Sequence, residues 1–249
     1  MITVDFKRLG IKPGFRILDI GCGSGRHTGA AIKYDAVSAV GVDINYTDVC
    51  ETRERLKLQE KWGETAGTWE IMVADTTCLP FRNNFFDLII CSEVLEHIRD
   101  QQAAINELVR ILKPGKNMAV SVPRYWPEKI CWKLSEEYRT TEGGHLRIYK
   151  QKVLSALLEK AGLQQWAAHW AHSVHTPYWW LKCLVGPSRN DAVPVNLYHR
   201  FLTWHIMKNS RLANWLDYLL NPVLGKSVVL YLRKKDSRGL GSKGSSAKA

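Results

Sequence analysis

Asp19-Ile20-Gly21-Cys22-Gly23-Ser24-Gly25 is the stretch with the plainest chemical content. Glycines at alternate positions let the backbone bend tightly and let a ligand approach it closely. The acid two residues ahead of the first glycine puts a negative charge where a cationic ligand could sit. A dinucleotide site also uses a glycine-rich bend, with a pyrophosphate on the following helix N-terminus. Here the spacing is GxGxG, Arg26 stands in place of a third glycine, and the Asp19 carboxylate would repel a diphosphate. A positively charged nucleoside suits the bend better, and a simple tight turn is the bland alternative.

That bend needs a strand before it and a helix after it. Residues 15–20 read as a buried strand and 26–34 as a helix. Further strands are expected at 37–42, 69–74, 86–91 and 117–122, with helices at 46–62 and 100–112 between them. The second of these helices places Ala103, Ile105, Leu108, Ile111 and Leu112 on its apolar face and ends at Lys113-Pro114-Gly115. Such alternation argues for a doubly wound parallel α/β sheet. Residues 123–149 read as a loop-rich, polar and aromatic insertion. A helix at 150–161, closed by Gly162, precedes a sixth strand at 163–172, and a seventh, antiparallel strand is expected at 226–232. Roughly fifty residues separate those two strands, far more than a simple connection needs. They hold Tyr178, Trp179, Trp180, Tyr198, Phe201, Trp204, Trp215 and Tyr218, and read as a helical, aromatic lid. The expected organisation is a Rossmann-like domain of residues 1–172 plus 226–232, a lid at 173–225, and a disordered basic tail at 233–249.

LDIGCGSG resembles motif I of the class I S-adenosylmethionine-dependent methyltransferases. Further matches follow in order. Gly41-Val42-Asp43-Ile44 resembles the end of the family's second strand, where the resemblance gives Asp43 the ribose hydroxyls. Ala74-Asp75-Thr76 with Leu79-Pro80-Phe81 resembles the segment whose acid reaches the adenine amine. Phe86-Asp87-Leu88-Ile89 and Ser92-Glu93-Val94-Leu95-Glu96-His97 resemble the fourth-strand motif, and Leu112-Lys113-Pro114-Gly115 the turn before the fifth. His145-Leu146-Arg147 and Lys160-Ala161-Gly162 are similar to the subgroup that methylates small molecules and lipids. The resemblance covers about residues 10–172 and the final strand. It implies S-adenosylmethionine as cofactor, held by Asp19, Gly21, Cys22, Gly23, Gly25, Asp43, Ile44, Asp75, Thr76, Ser92 and Glu93.

Each of these residues has a plainer use as well. Asp43 could cap a helix and Asp75 could serve a turn. Cys22 and Cys91 are expected to line the site as small apolar residues, since no base or positive field is evident beside either. Methyl transfer from a sulfonium is an in-line displacement, and a hydroxyl acceptor also needs a base. His145, in the loop Gly143-Gly144-His145, is the first candidate and His97 the second. The alternatives are that His97 packs structurally and that His145 and Arg147 pin the insertion to the body.

No (D/N)PP(Y/F) turn or Pro-Cys follows the fourth strand, where CSEVLE stands, so a nucleic-acid acceptor is disfavoured. A small molecule, lipid or glycan is expected, methylated at a hydroxyl oxygen. C-methylation of a quinone or polyketide-like acceptor is the alternative, and a non-catalytic nucleoside-binding module the alternative class. The net charge of +11 points to anionic partners, yet six of the basic residues lie from Arg233 onward against one acid, Asp236. The six cysteines form no CxxC pair and no histidine cluster has zinc-like spacing, so no metal is expected. Free thiols, no signal-peptide core and no apolar run of about 20 residues point to a cytoplasmic protein. Residues 196–220 mix Trp, Tyr and Leu with Arg200, Lys208 and Arg211, the pattern of a helix lying on a membrane or packed on its own domain.

Overall fold

A computed structural model describes residues 2–141, 143–189, 191–208 and 211–236. Seven strands form one sheet: β1 Arg16–Ile20, β2 Ser38–Asp43, β3 Thr68–Val73, β4 Phe86–Ser92, β5 Leu112–Pro123, β6 Leu163–Ala171 and β7 Ser227–Lys234. Their spatial order is β3-β2-β1-β4-β5-β7-β6. β7 runs antiparallel to both β5 and β6, while the pairs among the first five strands are parallel. The chain order reverses between β1 and β4. In open α/β sheets that switch point leaves a crevice at the carboxyl ends of the strands.

Parallel strands covered on both faces read as continuous apolar runs. β4, FDLIICS, is buried along its whole length. Along β1 the side chains alternate between two cores. Leu18 and Ile20 join Ile105 and Leu108 of α3 (Gln101–Ile111) and Leu154 and Leu158 of the helix Gln151–Lys160. Ile17 joins Ala31 of α1 (Arg26–Ala31) and Leu56 of α2 (Tyr46–Lys61), with Phe6 and Leu9 of a short N-terminal 3-10 turn. The sheet is therefore covered on both faces.

Three local expectations change. Residues 123–149 are not mainly loop: α4 (Tyr125–Leu134) and α5 (Glu136–Thr140) occupy them. Pro127 sits in the first turn of α4, where a missing N–H costs no helical bond, and Ser135 accepts from the Tyr138 N–H to start α5. The Lys113-Pro114-Gly115 segment follows the helix end as a bulge inside β5. The register jumps from Phe86↔Leu112 to Leu88↔Asn117, and Lys113 and Lys116 both reach Asp87, at 2.7 and 3.2 Å. β7 continues through Arg233 and Lys234, which the sequence assigns to the tail. Lys234 Nζ donates to the carbonyls of Val109 and Leu112, both at 2.7 Å, and so caps the end of α3. The remainder of that tail, residues 237–249, lies outside the described residues.

After the helix Gln151–Lys160, which is α6, the insertion between β6 and β7 holds α7 (Thr176–Val185), α8 (Val193–Lys208) and α9 (Arg211–Leu224). It is anchored at its root. Asp217 accepts from Ser173 Oγ at 2.8 Å and from the Val174 N–H at 3.1 Å, and Thr176 Oγ1 donates to Leu224 O at 2.6 Å.

Candidate functional site

The bend after β1 lies at the switch point, and Gly21, Gly23 and Gly25 all take left-handed backbone. Two of these glycines do different work. A Cβ on Gly21 would stand 2.3 Å from Val94 Cγ2, so this glycine lets the β1 and β4 tips close on each other. A Cβ on Gly23 would meet nothing within 4 Å, so this one faces open space beside Asp43. The Gly23 N–H donates to Asp43 Oδ2 at 2.9 Å, and the Asn45 N–H to Asp43 Oδ1 at 3.0 Å. Asn45, not Asp43, caps α2, through the Thr47 N–H. Asp43 is thus a strand-end carboxylate with lone pairs left over, next to Ile44, whose side chain is 72% exposed.

Asp19 is not on the surface of the bend. It is buried at 2% exposure, and its Oδ2 accepts from Thr28 N and Thr28 Oγ1 at 2.9 and 2.7 Å, which ties β1 to α1. Its Oδ1 is buried without a hydrogen-bond partner. Burial pushes this carboxyl up to about 7, against the Thr28 bonds, which pull it down. Cys22 is buried behind the bend and its thiol is pushed up by burial to about 12; burial also raises Cys91. Neither thiol has nucleophile character. Asp75 uses Oδ1 to close a turn with Thr77 N and Oγ1, both at 2.8 Å, and Thr76 beside it is half-buried.

The β4 tip carries the second half of the crevice. Ser92 Oγ lies 2.8 Å from Ser121 Oγ, and Ser121 Oγ donates to Glu93 Oε1 at 2.9 Å. Glu93 takes φ 58°, a left-handed conformation that costs a non-glycine residue roughly 1–2 kcal/mol, and is held there by its N–H on Ser121 O at 2.9 Å. One turn on, Glu96 is fully buried and neither of its oxygens has a hydrogen-bond partner, though Oε1 lies 4.0 Å from His97 Nε2. Burial, with Glu93 nearby, raises its carboxyl well above the usual range.

His97 and His145 come together, with ring centroids 5.0 Å apart. His97 Nδ1 lies 3.1 Å from Gly144 O, and His145 Nδ1 lies 2.6 Å from Glu128 Oε1. Burial, then the neighbouring His145, lowers the His97 pKa. Glu128 is 2% exposed on α4. Burial pushes its carboxyl up, but the His145 hydrogen bond and charge, aided by Lys226, outweigh this and leave it below the usual range. Both histidines line a cavity of about 670 Å³ with Arg99, Trp132, Arg139 and Leu146. Arg147 does the pinning: its guanidinium donates to Ile98 O at 2.5 Å and Arg99 O at 3.0 Å, fixing the loop after β4.

Sequence reasoning missed Glu128. The signal is present, since Glu128 shares a helical face with Cys131 and Trp132, but the sequence of α4 reads as loop. It also found no metal constellation. Among the described residues, ligand-capable atoms of Glu96, His97 and His145 lie within 4.8 Å of one another, a spacing that could hold a divalent cation.

The bend fits a sulfonium nucleoside: open space at Gly23, a strand-end acid, an exposed apolar side chain at Ile44 and an unpartnered buried carboxylate oxygen at Asp19. A family model described as methyltransferase domain matches residues 5–168. Cycloartenol-C-24-methyltransferase 1 of Oryza sativa subsp. japonica is 29% identical over 141 residues, covering 57% of this chain and 37% of that protein. An O-methyltransferase of Pyrenophora dematioidea is 32% identical over 114 residues, covering 46% and 41%. The chain therefore spans about two fifths of the length of these curated relatives. A solved S-adenosylmethionine-dependent methyltransferase from Methanosarcina mazei superposes with a TM-score of 0.59 over 90% of this chain and 94% of that one, at 18% identity, a likeness of fold.

Proposed function

The chain belongs to the class I S-adenosylmethionine-dependent methyltransferases, and we propose that it methylates a hydroxyl oxygen of a small apolar or sugar-bearing acceptor, with His145 as the base. Asp43 would hold the nucleoside's hydroxyls, Gly23 would allow its close approach while Gly21 and Gly25 shape the bend, and Asp75 with Thr76 would border its base. Ser92 and Glu93 would border the amino-acid end. The cofactor, when bound, supplies a methyl group activated by a positive sulfur. The chain's own residues must then orient the acceptor, exclude water and take up a proton.

The observation that carries the base is the 2.6 Å contact between Glu128 and His145 at the wall of the cavity. A carboxylate on Nδ1 fixes the ring tautomer and stabilises the imidazolium that forms. With Nδ1 so committed, Nε2 is the nitrogen left to accept the acceptor's proton. His97, whose pKa is lowered by burial and by its neighbour, would hydrogen-bond the acceptor without adding a competing charge. Glu96, buried beside the pair, has its carboxyl raised by burial and by Glu93. The insertion of residues 173–225 would cover the acceptor.

C-methylation is a second reading, favoured by the likeness to a protein named for methyl transfer to a sterol carbon. The test is incubation of the purified chain with methyl-labelled S-adenosylmethionine and fractionated small-molecule extracts, followed by NMR of the labelled product. A methoxy signal supports the reading. A C-methyl signal turns it to the second, and no labelled product with intact cofactor binding turns it to a nucleoside-binding module.

A further inference from the structure

The outward sides of α8 and of α9 carry large apolar side chains where a surface helix would be mostly polar. α8 turns Val195, Leu202 and His205 inward. Its other side exposes Leu197 at 67%, Trp204 at 48% and Met207 at 79%, and α9 exposes Trp215 at 58%, Tyr218 at 79% and Leu219 at 55%. A helix packed on its own domain keeps one apolar stripe and solvates the rest. Here each of the two helices leaves large apolar side chains exposed on its outward side, which marks an interaction surface.

Charge decides the partner. Arg200, Lys208 and Arg211 are exposed around this face. Across the described residues of α8 and α9 the one acid is Asp217, and it is turned toward Ser173 and Val174. A second copy would bring cations against cations. A nucleic acid would satisfy the cations but offer nothing to Leu197, Met207 or Leu219. An anionic lipid surface satisfies both, with Trp and Tyr at headgroup depth and basic side chains on phosphate. No described helix is long and apolar enough to cross a membrane, so the geometry suits lying on one.

The face is also joined to the cavity. Tyr138 meets His145 edge-on at 6.3 Å and Trp179 at 5.8 Å; Trp179 meets Tyr178 at 5.7 Å, and Tyr178 meets Tyr198 of α8 at 6.2 Å. Tyr198 continues to Phe201 at 5.7 Å, and Phe201 to Trp204 at 6.1 Å. An unbroken file of ring contacts thus runs from the histidine pair to the exposed Trp204.

We infer that the outer face of α8 and α9 docks on an anionic lipid bilayer. The docking itself does not depend on which atom the enzyme methylates. The test is co-sedimentation of the full chain with phosphatidylcholine vesicles, with and without phosphatidylglycerol. Binding to the anionic vesicles is expected, falling with salt. The triple variant Met207→Ser, Trp215→Ser, Leu219→Ser should weaken binding at least about tenfold, and each of Arg200→Ala, Lys208→Ala and Arg211→Ala by roughly fivefold at low salt. Circular dichroism and S-adenosylhomocysteine binding serve as fold controls, and a chain ending after residue 236 should keep its binding. The inference is overturned by absent vesicle binding, by binding indifferent to the helix substitutions, by binding lost only with residues 237–249, or by a doubling of mass in solution that the triple variant abolishes.

Discussion

Glu128 Oε1 stands 2.6 Å from His145 Nδ1, joining α4 to the loop beyond α5. The pair is worth more than either residue, because the carboxylate selects the tautomer and shares the positive charge when the ring is protonated. His145→Ala is expected to lower kcat by about 10²–10⁴-fold, the usual weight of a general base. Glu128→Gln should lower it less, about tenfold or more, and shift the pH profile of kcat. In both variants S-adenosylhomocysteine affinity, read by calorimetry, should change little. Full turnover in either variant would remove the pair from the chemistry.

Asp43 offers a contrasting signature. Its carboxylate already takes two backbone N–H groups, from Gly23 and Asn45, which aim it at the space above the bend. Asp43→Ala removes two charged acceptors from that space. Each hydrogen bond to a charged group contributes about 1.5–3 kcal/mol, so cofactor affinity should fall roughly tenfold to a hundredfold for each such bond lost. Turnover at saturating cofactor should fall far less. Equal loss of both would mean that Asp43 mainly holds the bend together.

Gly21 and Gly23 should respond differently to the same substitution. Gly21→Ala drives a methyl to 2.3 Å from Val94 Cγ2 at φ 62°. Overpacking costs about 1–3 kcal/mol and the left-handed backbone about 1–2 kcal/mol, so urea melts should show a loss of about 2–5 kcal/mol. Adding Val94→Ala should restore the steric share only. Gly23→Ala meets no neighbour and should lose only the backbone share, yet bind S-adenosylhomocysteine poorly, because its methyl occupies the ligand's space. Normal cofactor affinity in Gly23→Ala would place the ligand elsewhere.

These residues also explain what could be read from sequence. The cofactor side is local: Asp19 to Gly25 span a single turn, and Asp43 ends an apolar run that pairs directly with β1. The sheet was legible for the same reason, since a strand buried on both faces, such as β4, has no polar alternation to confuse it. The acceptor side is not local. Glu96, His97, Glu128 and His145 meet only after α4 and α5 fold back over the β4 tip, and no window of sequence contains them all. α4 was hidden by Pro127 and its neighbouring aromatics, which read as loop. Lys234 was hidden by its charge, which resembles a tail but caps α3 instead.

Asp19 supplies a test of whether its carboxyl senses the cofactor's charge. Burial lifts its carboxyl to about 7 in the folded protein, whereas an unfolded chain titrates it near the ordinary value of about 3.9. Between those values the folded form holds a proton that the unfolded form lacks, so this group's contribution to stability is full below the unfolded value and is lost as pH rises through about 7. Relative to Asp19→Asn, which has no titration, the wild-type chain without ligand should lose stability on the order of 4 kcal/mol from pH 4 to pH 8. A cationic ligand reverses the preference, because it favours the ionised carboxyl. S-adenosylmethionine carries a positive sulfur that S-adenosylhomocysteine lacks. The ratio of their affinities should therefore shift toward the methyl donor as pH rises through about 7 in the wild-type chain, and stay flat in Asp19→Asn. Calorimetric titration of both ligands across that range decides it, and a ratio independent of pH in the wild-type chain would show that Asp19 only ties β1 to α1.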